Sequence, residues 1–285
     1  MKSICIKTNN SENINYLLDL LYNTKQSNVC FSSHNFKHYK NIIVHYVGTS
    51  VSRFIANISE ILSFLVINNF EDNIIKRIIF TNYFYFDEAE RNIILEICLE
   101  LLYENNDESM NERKNILINS FYDYLTKNKQ IILDGFINFR LKKYVDFLNS
   151  VVDTAVNKFI IEREYIEFIS LLKVYINSET SSTEYVHLIY TSNQSILLDK
   201  DKNIIKKEEG SLNSKYLSDI TFSSNDYTLN TLLNLLPQKI YIHLVEKNID
   251  EFINTLQLVF ENRIQICTDC SVCDFYKNSK HINKI

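Results

Sequence analysis

The spacing of apolar residues changes period along the chain, and each change predicts a change of element. In "SICIK", Ile4 and Ile6 alternate with smaller or more polar neighbours, as in a half-buried strand. Ile14, Leu17, Leu18 and Leu21 then recur at helical spacing behind Ser11, a candidate N-cap. "NVCFSS" (28–33) and "NIIVHYV" (41–47) are β-branched and aromatic runs, so the first fifty residues read β-α-β-β.

From Ser50 onward the period is helical. "VSRFIANISEILSFLVINNF" (51–70), "DNIIKRIIFTNYFYF" (72–86) and "DEAERNIILEICLELLYEN" (87–105) predict three helices, the last opened by a capping box between Asp87 and Glu90. "NNDES" (105–109) interrupts the pattern and "NERKNILINSFYDYLTKN" (111–128) resumes it. In 134–177, apolar residues at 137, 141, 144, 148, 152, 155 and 159 form one stripe, continued at 165, 168, 169, 172 and 176. One helix of that length would run about 65 Å. A compact chain of this size is about 50 Å across, so a break is expected near "FIIEREY" (159–165).

The last third returns to strands. "TEYVHLIYT" (183–191) and "QSILLDKDKN" (194–203) predict a hairpin, and 206–226 a polar loop. "TLNTLLNLL" (228–236) is helical up to Pro237. "KIYIHLV", "DEFINTLQLVF" and "RIQICT" then read as a parallel strand–helix–strand unit. The expected class is α+β, mostly helical, with short strands at both chain ends and a C-terminal βαβ unit. Three regions are expected: a small α+β element over 1–49, a helical region over 50–178, and an α/β region with a cysteine tail over 179–285. The first and third are expected to join one mixed sheet, because their strands are short.

Composition narrows the function classes. Only 3 Gly and 1 Pro in 285 residues leave few tight turns and make nucleotide cradles improbable. A net charge of −5 argues against a nucleic-acid partner. The nearest basic run, "KDKNIIKK" (200–207), is followed at once by Glu208 and Glu209. Neither a secretory signal nor an apolar run of about 20 residues is visible, so no membrane span and a cytoplasmic location are expected. Thiols are kept reduced there, which disfavours disulfides.

The densest chemistry is "ICTDCSVC". Cys267, Cys270 and Cys273 stand two residues apart, a spacing that lets a turn aim several sulfurs at one point. Zinc or an iron–sulfur cluster, a redox thiol pair, and plain thiols are all open readings. A ferredoxin-type run needs a fourth Cys where Lys277 stands, so a fourth ligand would come from His281, from Cys5 or Cys30, or from another subunit. A second group is the charged stretch of the long helix, Arg140 with Glu162, Arg163, Glu164, Tyr165 and Glu167. Glu164 and Glu167, three apart, can face each other as paired carboxylates, or simply be solvated. His187 and His243 each sit in an apolar strand; they meet if the strands are neighbours, and otherwise read as hydrogen-bonded core residues. No G-x-S-x-G elbow, glycine-rich phosphate loop or H-E-x-x-H occurs.

The segment "GFINFRLKKYVDFLNSVVDTAVNKFIIEREYIEFISLLKVYI", with "VHLIY", "LLPQKIYIH" and "VFENRIQICTDCSVC", resembles the YtxC-like family of sporulation proteins from spore-forming Firmicutes. The resemblance implies a cytoplasmic protein connected with endospore formation, and no established activity or catalytic residue. It marks Phe136, Phe139 and Arg140, the "EREY" at 162–165 and the "CTxCxxC" at 267–273. Together these readings point to a non-enzymatic protein that works through a protein partner, with a metal at its cysteine tail. The alternative is an enzyme using the Arg/Glu cluster.

Overall fold

The computed structural model describes residues 1–23, 28–35, 39–103, 106–191, 194–205 and 223–282. It is a mostly helical α+β fold that divides into two compact units, Met1–Ile161 and Glu162–Ile285.

The first unit opens as its apolar pattern predicts, with β1 (Lys2–Thr8), α1 (Ser11–Asn23), β2 (Val29–Asn35) and β3 (Lys40–Tyr46). Strand β1 buries Ile4 and Ile6 on one face, and Ile42 and Val44 of β3 join them against Ile14, Leu17 and Leu21 of α1. The amide of Glu12 is capped by Asn10 Oδ1 at 2.8 Å, one residue before the predicted cap. Helices α2 (Val51–Asn69), α3 (Glu71–Asn82), α4 (Glu88–Tyr103) and α5 (Asn106–Lys127) follow. The Asp87/Glu90 capping box forms in both directions, each bond 2.9 Å. The expected interruption at 105–109 is shorter than predicted, since α5 already begins at Asn106.

By length and composition α2 could cross a membrane, but 56% of its apolar window is buried inside the fold. That is the pattern of a core helix, with Phe54, Ile58, Leu62 and Leu65 in the interior.

A short strand, β4 (Gln130–Ile132), then pairs in parallel with β1 and completes a sheet of order β2-β3-β1-β4. Three residues are too few to show alternation, so only the β1 partner reveals this strand. The C-terminal strands form their own sheet, and the two chain ends do not join one as expected. The neighbours of β1 are β3 and β4, both from the first unit.

Helices α6 (Leu133–Arg140) and α7 (Lys142–Ser178) carry the long stripe. The break falls at Leu141, with φ −89° and ψ 36°, and α7 runs unbroken through 159–165. The chain divides into two compact units, each with its own core, so the size of a single compact body sets no limit on α7. The boundary between the two units lies at Ile161, inside the expected break, but the helix continues through it. Its first half buries Tyr144, Leu148, Val152, Ala155 and Phe159 in the first core. Its second half gives Ile169 and Ile176 to the second core.

The first unit also holds an ion pair that no sequence pattern signals. Glu71 of α3 and Arg113 of α5 meet at 2.6 Å with both side chains fully buried. Tyr144 donates to the other Glu71 oxygen, Tyr103 donates to the first at 3.4 Å, and the Arg113 guanidinium lies 4.8 Å from the Tyr103 ring centre. Burial raises the Glu71 carboxyl above its ordinary pKa, while Tyr144 and Arg113 pull it down.

The second unit contains β5 (Thr183–Thr191), β6 (Gln194–Leu198), α8 (Ser224–Leu235), β7 (Pro237–Leu244), α9 (Glu251–Phe260), β8 (Ile264–Cys267) and α10 (Ser271–Ile282). Most of the predicted polar loop, 206–222, lies outside the described residues. Ser223 and Asp226 form a capping box on α8, and Asp250 caps α9. The sheet order is β6-β5-β7-β8, with β5–β6 antiparallel and the other pairs parallel. Alternation assigns its two faces. Val186, Leu188 and Tyr190 of β5 with Ile240, Ile242 and Leu244 of β7 pack in the main core with α9. Ile189, Leu198 and Val245 form a smaller cluster joined by Val272 and Tyr276 of α10.

Two stability outcomes follow. Phe159, edge-on to Phe86 at 5.5 Å, should cost about 3–5 kcal/mol when replaced by Ala, read as a fall in the denaturation midpoint. An unchanged midpoint would show that this face of α7 is not core. Arg113→Met strands a buried carboxylate and should cost about 3–5 kcal/mol at neutral pH, with much of the loss recovered in Arg113→Met/Glu71→Leu. Without its cation, Glu71 keeps its proton in the folded state after the unfolded chain has lost it. The single variant's deficit should therefore grow as pH rises above about 4. A deficit independent of pH would show that the Glu71 charge is not what the arginine offsets.

Candidate metal centre

The alternation that fills the main core from one face of the C-terminal sheet turns His187 and His243 to the other. Strands β5 and β7 are parallel neighbours with Ile189 opposite His243 and His187 opposite Tyr241. This brings His187 Nδ1 to 3.0 Å from His243 Nε2, the conditional expectation for two histidines on adjacent strands. In the next pair, β7 and β8, His243 stands directly opposite Cys267.

The chain then turns back over that face. Cys270 precedes α10, whose early backbone bond runs from the amide of Asp274 to the Cys270 carbonyl at 3.0 Å. Cys273, three residues on, lies in the first turn and points to the same side as the Cys270 sulfur. The amide of Cys273 also approaches Cys270 Sγ at 3.5 Å. Lys277, the residue that replaces a fourth cysteine, reaches back to the Thr268 carbonyl at 3.2 Å and to Asp269 at 3.4 Å.

Four ligand atoms result: His243 Nδ1 and the sulfurs of Cys267, Cys270 and Cys273, all within 4.8 Å of one another. Cys267 and Cys273 sulfurs are 3.9 Å apart, and Cys270 and Cys273 sulfurs 3.7 Å. His243 Nδ1 lies 3.3 Å from the Cys270 sulfur and 3.6 Å from that of Cys273. Cys273 and His243 are buried, while Cys267 and Cys270 are partly open.

The electrostatics suit ligation. Burial, with His187 and Lys202 nearby, lowers His243 to about 4, so its ring is neutral near pH 7. Burial, and then Lys202, lower His187 as well. Burial opposes the Cys270 thiolate, but the Cys273 amide and the two other thiols outweigh it and hold its pKa below the ordinary value. Burial and the hydrogen bond it shares with Cys270, whose thiolate it serves as donor, push Cys273 up to about 12. A bound cation would reverse that last shift, since a coordinating thiol is deprotonated outright.

Sequence reasoning placed the histidines and the cysteines in separate candidates, and the tertiary pairing merges them. The matching pentapeptides "KIYIH" (239–243) and "RIQIC" (263–267) carry a signal for this, because in-register parallel strands set His243 beside Cys267. Helix α10 was also missed, although it opens the motif's second half. The His281 side chain lies outside the described residues. Cys5 and Cys30 belong to β1 and β2 of the first unit, and Cys98 is buried in α4.

The remaining candidates are not brought into this group. Glu162, Glu164 and Glu167 are exposed on α7, with Arg163 3.8 Å from Glu167. Tyr165 shares a 2.9 Å hydrogen bond with Thr255 of α9. Arg140 and Phe139 are exposed at the end of α6.

Residues 56–265 match the model of the YtxC-like family. Among curated proteins, an uncharacterized protein YtxC of Bacillus subtilis (strain 168) is 20% identical over 202 residues, covering 69% of this chain and 71% of its own. No solved structure matches. The family match includes His187 and His243 and ends two residues before Cys267, so the tail site rests on its own geometry.

Proposed function

The chain belongs to the YtxC-like family, and from that premise we propose a non-enzymatic cytoplasmic protein of endospore formation that acts through protein contacts. Its C-terminal unit is completed by a Cys3His zinc ion held by Cys267, Cys270, Cys273 and His243. One observation carries the metal reading. A tetrahedron built on about 2.3 Å zinc–sulfur and about 2.0 Å zinc–nitrogen bonds has edges of about 3.8 and about 3.5 Å. Four of the six edges, the sulfur–sulfur distances of 3.7 and 3.9 Å and the nitrogen–sulfur distances of 3.3 and 3.6 Å, fall beside those values, and all six lie within 4.8 Å. A four-iron cluster takes each thiolate on a different iron and holds the sulfurs farther apart, so the spacing favours a single ion.

Four protein ligands close the coordination shell, which suits structure over catalysis. The ion would pin α10 to a sheet face where the small cluster of Ile189, Leu198 and Val245 receives it. His187 is the orienting partner. With the ion on His243 Nδ1, Nε2 carries the proton and donates it to His187 Nδ1. The protein-contact part is supported by the apolar side chains that α7 leaves exposed, among them Ile166, Leu171 and Val174. The sporulation part is supported by the resemblance drawn from the long helix and the C-terminal strands.

Protein purified without oxygen should carry one zinc ion per chain and lack the visible absorption of an iron–sulfur cluster. Cys270→Ser should lose the ion, and Cys98→Ser should keep it. Neither zinc nor iron in the intact chain would end the metal reading. Replacing His187 by Ala should weaken zinc binding about 10–100-fold in a chelator competition, with the four ligands untouched. Chelation should speed amide exchange over residues 271–277 and leave the first unit unchanged, and equal exchange with and without the ion would remove the pinning role. A host strain lacking the chain should form fewer heat-resistant spores; undiminished counts would remove the sporulation part.

A further inference from the structure

A second site lies wholly within the first unit, where the C-terminal end of α5 meets the α6–α7 junction. A cleft of about 770 Å³ opens there, and the cationic side chains on it are Lys127, Arg140, Lys142 and Lys143. Asp123 is, among the described residues, the one acid on its wall, although the whole chain carries a net charge of −5. Among the described residues none of the four cations makes a hydrogen bond or ion pair, so what sets them apart is their gathering in one cleft with a single acid beside them.

Helix stability accounts for half of this charge and not for the rest. Lys127 and Arg140 stand in the last turns of α5 and α6, where a cation is favourable beside the helix carbonyl end. Lys142 and Lys143 are the first two residues of α7, whose first turn has no acid. Two cations at the positive end of a 37-residue helix oppose its dipole. An arrangement that works against the apo fold is what an anionic ligand would offset.

We propose that this cleft binds a small organic molecule carrying two or more linked phosphates. The charge is too large for one monoanion, and the volume exceeds what inorganic phosphate needs. An organic moiety has the half-buried Tyr124 ring to meet, backed by the buried Phe136, whose ring centre lies 4.9 Å from that of Tyr124 and 4.8 Å from that of Phe121. Asn119 and Asn128 add amide groups beside the cations. The "FINFR" stretch thereby gains a role, with Phe136 backing the wall and Arg140 as hydrogen-bond donor to a phosphate. Arg140 can offer two parallel N–H groups to one phosphate, which a lysine cannot.

Calorimetric titration of the full chain at low salt, with pyrophosphate, ADP and AMP as probes, tests this. ADP and pyrophosphate should bind, AMP at least about tenfold more weakly, and added salt should weaken all three. Arg140→Gln/Lys143→Gln should reduce ADP affinity at least about tenfold. Lys142→Glu/Lys143→Glu should abolish binding and raise the thermal midpoint of the ligand-free protein, because the helix start then carries the favoured sign. A merely solvated basic surface would give the same higher midpoint but no ADP binding in the parent protein, which overturns the proposal. ADP affinity unchanged in both variants overturns it too. Binding of a single-stranded oligonucleotide with no response to ADP would replace the small-molecule site by a nucleic-acid groove.

Discussion

The parallel pairing of β7 with β8 is the constraint on which the second unit depends. It sets Ile240 beside Ile264 and Ile242 beside Ile266. The same register sets His243 beside Cys267 on the opposite face. A slip of one residue would turn every side chain of β8 to the wrong face. The apolar packing of Ile240 and Ile242 against α9 thus fixes the position of two ligand atoms it never touches. The turn after Cys267 then needs only to return Cys270 and Cys273 over the same face, and the start of α10 does this within six residues.

The first unit depends on a different kind of constraint. Glu71, Arg113 and Tyr144 come from three helices and meet with no exposure to water. Buried ion pairs of this kind add little net stability over apolar substitutes, but they punish any packing that separates them. The pair and Tyr144 thus tie α3, α5 and α7 together at one buried point. Helix α7 carries that constraint along its length, since Tyr144 stands at the head of the stripe that continues through Leu148, Val152, Ala155 and Phe159.

The two candidate sites differ in what they require of the backbone. The His–Cys group draws on two strands and a helix start, so its geometry is built before any ion arrives. The basic cleft is a surface of long, flexible side chains around a rigid aromatic wall. It would order around its ligand, with Phe136 and Tyr124 supplying the fixed part. Membership of the YtxC-like family spans the cleft and both histidines, but stops short of the cysteines.

Local rules were enough for much of the fold. Period-2 and period-3.6 patterns place nearly all of the helices and strands, and the Asp87/Glu90 box forms as its spacing requires. The stripe from 137 to 159 is buried at every predicted position. These succeed because burial of one face and capping of one end act between residues close in sequence. Pairings distant in sequence were not legible. Strand β4 is three residues that become a strand by pairing with β1, and the strands of the two chain ends form separate sheets. Glu71 and Arg113 are 42 residues apart, and each alone reads as a surface charge. The cysteines announced themselves by spacing, whereas their fourth partner, 24 residues upstream of Cys267, was decided by strand register. A ligand set is a meeting of atoms in space, and the sequence lists atoms only along a line.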